Sequence, residues 1–267
     1  MELAEILLKV SNCLASVRSS QSTSAGTTST LVDSNMIALD DQFKNGIIFF
    51  LSGVLAGKTA VITGWNYATK TFTFAAQSAA PGSGIRYAVS DPRWPRETQV
   101  NAVNQALGSM GTLTTKNETL TTIADQVEYT LPIGVRMIKR VQFANNLVEP
   151  YDFGKPHRWW IERNGTLYFY DNIPAYTGYK IRLWHDIEHA QVYLDTDEID
   201  VMIDPTYLSW KAAWYAAIQR TAISGNNETD TENIATITNQ VAQLEAGIQN
   251  TRMPRDSRFG SGGSYAS

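Results

Sequence analysis

Cysteine is nearly absent. Cys13 is the single one, which excludes an internal disulfide and a metal site built from several thiolates. Histidine is scarce too, so a histidine-based catalyst or metal centre has only His157, His185 and His189 to draw on. Charge is thin at 18% of residues, so the polar surface must rest on Ser, Thr, Asn and Gln. The balance of −4 argues against a broad basic face for gripping nucleic acid. No apolar run is long enough to cross a bilayer: the most apolar stretch, Gly46 to Gly57, is short and bracketed by Lys44 and Lys58. The acidic start Met1-Glu2-Leu3-Ala4-Glu5 is unlike the basic start of a secretory signal. These absences predict a soluble protein made in a reducing cytoplasm, or in something assembled there, with no membrane partner.

What is present is a chain of 267 residues, 43% hydrophobic, enough for a real core. Leu3, Leu7, Val10, Leu14 and Val17 recur at three- and four-residue spacing and predict a helix over about 3–18, followed by a small-polar linker, Ser19 to Thr30. Short β-branched and aromatic segments between turn signals then predict a small β-barrel or sandwich over 31–90. Pro95 opens a helix over 91–111 carrying Val100, Val103 and Leu107. A second strand-rich block, 112–203, contains the hairpin signal Asn164-Gly165. Asp204-Pro205 starts a helical pair over 204–251, whose second member repeats Ile234, Ile237, Val241, Leu244 and Ile248. Residues 252–267 read as a flexible tail. The expected class is α+β: a helical-bundle core with two β-rich insertions, a barrel or sandwich and an antiparallel sheet.

Several segments invite a chemical reading. Gly53-Val54-Leu55-Ala56-Gly57-Lys58-Thr59 is a near miss to a nucleotide-binding P-loop, with three residues between its glycines instead of four and a strand-like sequence after it. A hairpin turn fits it better. His185 and His189 stand four apart, but behind a strand and without a third ligand fixed by spacing. Seven acids and no Lys or Arg lie between Leu183 and Trp210, and the plain reading of Asp195, Asp197, Glu198 and Asp200 is an exposed acidic loop. In a wall around DNA, that loop would repel the duplex and keep it mobile. Trp159, Trp160, Tyr168, Tyr170, Tyr176, Tyr179 and Trp184 make the second β-block aromatic, which in strands points to cross-strand packing before sugar or base stacking. The tail has Arg252, Arg255 and Arg258 against Asp256, hence +2, while the rest of the chain is −6. With Phe259 and Tyr265 it suits docking into a partner's groove. No motif asks for a catalytic centre, a metal or a cofactor.

The chain resembles the head-to-tail connector (adaptor or neck) proteins of tailed bacteriophages. The resemblance rests on Leu31-Val32-Asp33 through Gly57–Trp65 to Tyr87 and Trp94-Pro95-Arg96-Glu97. It rests also on Tyr129–Val135 with Met137–Val141, on Asn164–Phe169 with Gly178–Arg182, and on Asp204-Pro205-Thr206-Tyr207 opening an Ala-rich helix. It implies a structural virion protein and not an enzyme, assembled in the host cytoplasm into a ring, commonly of twelve copies, beneath the portal protein. The resemblance implies that the ring contacts a downstream tail or nozzle protein and passes double-stranded DNA without reading its sequence. It would place Arg252, Arg255, Arg258, Phe259 and Tyr265 against the portal, and Asp195, Asp197, Glu198 and Asp200 are the candidates for the channel wall. The alternatives are another tail component such as a tail-tube or tail-completion protein, a carbohydrate-binding module using the aromatic block, and a hydrolase or metalloenzyme using His185, His189 and the acids.

Overall fold

The computed structural model describes residues 1–170, 177–200, 203–224 and 228–251. The chain forms two compact units, one of residues 1–109 with 191–267 and one of residues 110–190.

In the first unit, helix α1 (Leu3–Cys13) buries Leu3, Ile6, Leu7 and Val10 completely along one stripe. It stops well short of residue 18. Ala15 takes a left-handed φ of 49°, and the Ala15 and Ser16 amides donate back to the Asn12 and Ser11 carbonyls. That is the helix-ending pattern usually built on glycine. Strand β1 (Val17–Gln21) follows at once. Strands β2 (Ser24–Thr27), β3 (Thr30–Val32), β4 (Ile47–Phe50), β5 (Thr59–Asn66), β6 (Thr71–Phe74) and β7 (Arg86–Ser90) complete an antiparallel sheet in the order β1-β7-β4-β5-β6-β3-β2.

The small-polar stretch expected to be a linker therefore supplies β1 and β2. Its residues bury little, but its backbone pairs with β7 from Val17↔Ser90 to Gln21↔Arg86. Only Ser22 and Thr23 separate β1 from β2, and their amides donate to the Ile85 carbonyl just before β7 and the Val32 carbonyl at the end of β3. The two end strands of the sheet are thus one bent segment, which curls the sheet into a small barrel. Inside lie Leu31, Ile48, Phe50, Ile62, Trp65, Phe72, Phe74, Tyr87 and Val89. The rings of Trp65 and Phe72 sit 4.3 Å apart at its centre.

Helices α2 (Arg96–Ser109), α3 (Pro205–Ser224) and α4 (Glu228–Thr251) belong to the same unit, and α3 packs against the other three. Buried Ala212, Ala213, Ala216 and Ala217 let those neighbours approach closely. The helical-bundle core expected from sequence is nevertheless wrong. Among the described residues there are thirteen strands in three antiparallel sheets against four helices, and the largest layer is the seven-stranded one with a core of its own. The helix stripes were real signals of amphipathicity, but the bulky aromatic and β-branched side chains that fill a core lie mainly in the strands.

The second unit holds β8 (Thr112–Asn117), β9 (Glu128–Thr130), β10 (Arg136–Phe143), β11 (Trp160–Arg163), β12 (Thr166–Phe169) and β13 (Ile181–Glu188). They form two three-stranded antiparallel sheets, β10-β13-β8 and β11-β12-β9. Tyr129, Val141, Leu167, Phe169, Ile181 and Leu183 share one core between them. Asn164 and Gly165, both at positive φ, make the two-residue turn that joins β11 to β12.

Candidate functional site

The acidic segment is the best-built polar feature of the first unit. The Asp195 carboxylate, its side chain only 14% exposed, accepts from the Thr59 amide at 2.6 Å and the Thr59 hydroxyl at 2.8 Å. Nη2 of Arg96, the first residue of α2, completes the set at 2.8 Å. The same Nη2 donates to the Tyr193 carbonyl at 2.9 Å. Asn104, two turns further along α2, reads the Val192 backbone in both senses, donating to its carbonyl at 2.9 Å and accepting its amide at 2.8 Å.

Asp197 turns its carboxylate back onto its own loop. The Leu194 and Tyr193 amides bond to it and hold its carboxyl below the usual carboxylate range. The main-chain carbonyls of Asp195 and Asp197 in turn accept the Ala4 and Leu3 amides. Those are orphan donors at the start of α1, whose N-cap, Glu2, offers no side-chain bond. Glu198 forms a backbone bridge with Glu2. Of the four acids singled out from sequence, Asp195 and Asp197 are thus committed to protein donors, while Glu198 and Asp200 are exposed. Charge counting saw an acidic run. The missing signal was the local bonding of Asp195 and Asp197, which composition does not carry.

This arrangement also accounts for the P-loop near miss. Gly53 and Gly57, both at positive φ, shape the turn from β4 into β5, and strand follows where a helix would be required. The Thr59 amide and hydroxyl that would face phosphate in such a loop are occupied by Asp195.

His185 lies on β13, on the face shared with Ile181 and Leu183, and is 5% exposed. Because this segment is strand, His185 and His189 do not share a helical face. Among the described residues no group of three or more His, Cys, Asp or Glu side chains gathers to hold a metal ion.

The aromatic block divides by strand parity. Trp160 points inward, packing on the core and donating to the His157 carbonyl, while Trp159 is 59% exposed and Tyr170 is 70% exposed. The register Ile161↔Tyr168 puts Trp159, Ile161, Tyr168 and Tyr170 on the outer face of the β11-β12-β9 sheet. The predicted tail residues Arg252, Arg255, Arg258, Phe259 and Tyr265 lie outside the described residues.

Two concave features had no forewarning in the sequence, since each draws on distant segments. One is a cavity of about 280 Å³ beside the end of α1, where Leu14, Trp94, Ala217, Ile234 and Ile237 meet the polar Asn12, Asn233 and Thr236 and the cations Arg93 and Arg220. The other is an open groove lined by Asn101, Gln105, Gln191, Tyr193 and Gln219. No family model and no curated protein matches the chain.

Proposed function

We propose that this chain is a structural virion protein, a head-to-tail adaptor that assembles as a ring beneath a portal and surrounds the DNA exit channel. The local patterns quoted above support this reading, and one structural observation carries it furthest: large apolar side chains stand exposed on both units. Ile133 is fully exposed, Ile37, Leu39 and Val148 are each more than 70% exposed, and Leu147 and Met137 more than half. Apolar surface of that kind marks sites that partners cover. The net charge of −4 suits a wall past which DNA slides, and the +2 tail beyond residue 251 suits a groove on the portal.

The test is the mass of the full chain in solution by light scattering, alone and with portal, against a chain ending at residue 251. A ring near twelve copies supports the adaptor. So does a monomer that becomes a ring on portal only when the tail is present. A monomer indifferent to portal removes it.

The outer face of the β11-β12-β9 sheet favours a second reading, a carbohydrate-binding module. It expects polysaccharide binding by the monomer that Trp159→Ala abolishes. Trp160→Ala, whose ring faces the core, would instead lower stability.

A further inference from the structure

We propose that Asn164 is a self-modification site: its carboxamide closes onto the Gly165 nitrogen, sheds ammonia, and leaves isoaspartate at the tip of the β11–β12 hairpin.

The reaction needs an asparagine followed by a residue with no side chain to shield the next backbone nitrogen. The chain has two such steps, Asn45-Gly46 and Asn164-Gly165. Both asparagines are exposed, and both stand at positive φ, 72° and 51°. Their glycines, however, have opposite surroundings.

Gly46 is buried. Its amide, the nitrogen that would attack, donates to the Phe43 carbonyl at 2.9 Å, and its carbonyl accepts the Ile62 amide at 2.9 Å. The Asn45 amide donates to the Ile62 carbonyl at 2.8 Å, and a Cβ on Gly46 would come within 2.3 Å of the Ser90 carbonyl oxygen. Swinging that nitrogen toward the Asn45 side chain means breaking the join between the start of β4 and β5.

Gly165 is exposed, with nothing within 4 Å of the place its Cβ would take. Neither its amide nor the Asn164 carboxamide has a hydrogen-bond partner among the described residues. One tether crosses the tip, from the Leu131 amide to the Gly165 carbonyl at 2.8 Å. Strand β11 ends its sheet, so the turn lies at an edge, where local opening costs least.

The atoms balance with water alone. The Gly165 nitrogen, once hydroxide has taken its proton, attacks Cγ of Asn164. The new N–C bond expels the carboxamide nitrogen as ammonia, which takes a proton from water and returns the hydroxide. Water then opens the cyclic imide at either carbonyl. Opening at Cγ leaves aspartate, and Asp-Gly suits the same two-residue turn. Opening at the former backbone carbonyl leaves isoaspartate, which lengthens the main chain by a carbon. The turn then no longer fits between the paired Arg163 and Thr166, and the hairpin loosens with age.

The test ages the full chain at pH 8 and maps its peptides by mass spectrometry. In the folded chain Asn164 should convert roughly tenfold or more faster than Asn45, whose reaction waits on opening of the barrel. In urea the two should convert alike. Gly165→Ala, which covers the nitrogen, should slow conversion at Asn164 even where it weakens the turn. Asn164→Asp should melt like the fresh chain, and the isoaspartate fraction of the aged chain should melt lower. If both asparagines convert at one rate in the folded chain, or both convert in urea and neither does when folded, the site is wrong. An isoaspartate fraction that melts like Asn164→Asp would remove the effect on the hairpin. None of these outcomes depends on whether the chain forms a ring.

Discussion

The Tyr87 hydroxyl donates to Oδ2 of Asp33 at 2.6 Å inside the barrel, with both residues fully buried. Ser20 on β1 donates to the same oxygen, and the Asn35 amide reaches Oδ1 at 2.9 Å. One carboxylate thus ties β1, β7 and the end of β3 at the place where the sheet closes. Burial first, and then the bond to Asp33, push the Tyr87 phenol above its ordinary range. Tyr87→Phe should cost about 1–3 kcal/mol in urea unfolding, because it strips a donor from a buried charged acceptor. Asp33→Ala should cost more, since it orphans three donors. In a double-mutant cycle of Tyr87→Phe with Asp33→Asn the two effects should not add. Additivity within ~0.5 kcal/mol would show that the pair is not coupled.

Asp195 and Glu198 are three residues apart and should behave oppositely. Asp195→Ala leaves the Thr59 amide and the Arg96 guanidinium without their partner in a partly buried site. A loss of about 2–4 kcal/mol is expected, somewhat less than for a fully buried pair. Glu198→Gln, at an exposed position, should stay within about 0.5 kcal/mol. If the acidic segment lines a channel, the Glu198→Gln variant is the one that alters DNA passage without altering melting. Equal destabilisation at positions 195 and 198 would contradict the bonding described here.

The sequence was legible where one element explains itself. The buried stripe of α1 announces a helix, and Asn164-Gly165 announces its hairpin, because both signals act over a few residues. It was illegible where the structure joins distant residues. Ser19 to Thr30 carries no apolar alternation, yet its backbone closes the barrel by pairing with strands up to about seventy residues away. Asp195 looked like one solvated acid among several, because nothing near it in sequence reveals Thr59 or Arg96. The bundle was over-read for a related reason: helix periodicity is easy to see, and it says nothing of how much core the strands hold.

Gly26 is the residue that separates a linker from a strand. A Cβ placed there would come within 1.9 Å of the Thr30 carbonyl oxygen, so the β2–β3 turn leaves no room for a side chain. Gly26→Ala should therefore cost about 1–3 kcal/mol and loosen amide-exchange protection along β3 and β6, a packing conflict and not a backbone one. Gly165→Ala is the contrasting case, with φ at 73° and open space around the Cβ. Its cost should be about 1–2 kcal/mol, purely from the left-handed backbone. A neutral Gly26→Ala would mean that the segment is a free linker after all.

Cys13, on the wall of the cavity beside α1, reports on the burial of that wall. Burial pushes its thiol up from 9.0 to about 11, against a smaller opposing backbone hydrogen bond. At pH 8 the native thiol should therefore be alkylated by iodoacetamide about a hundredfold more slowly than the unfolded chain's, in proportion to its thiolate fraction. The rate should climb steeply toward pH 11. The linkage has the sign of a raised value: the folded state holds its proton more tightly, so this contribution to stability is fully present below pH 9.0. It is lost as the pH rises toward about 11. Cys13→Ala should flatten that alkaline loss. Anything that fills the cavity should slow alkylation further at fixed pH. A native thiol that reacts as fast as the unfolded one would show that the cavity wall stands open to solvent.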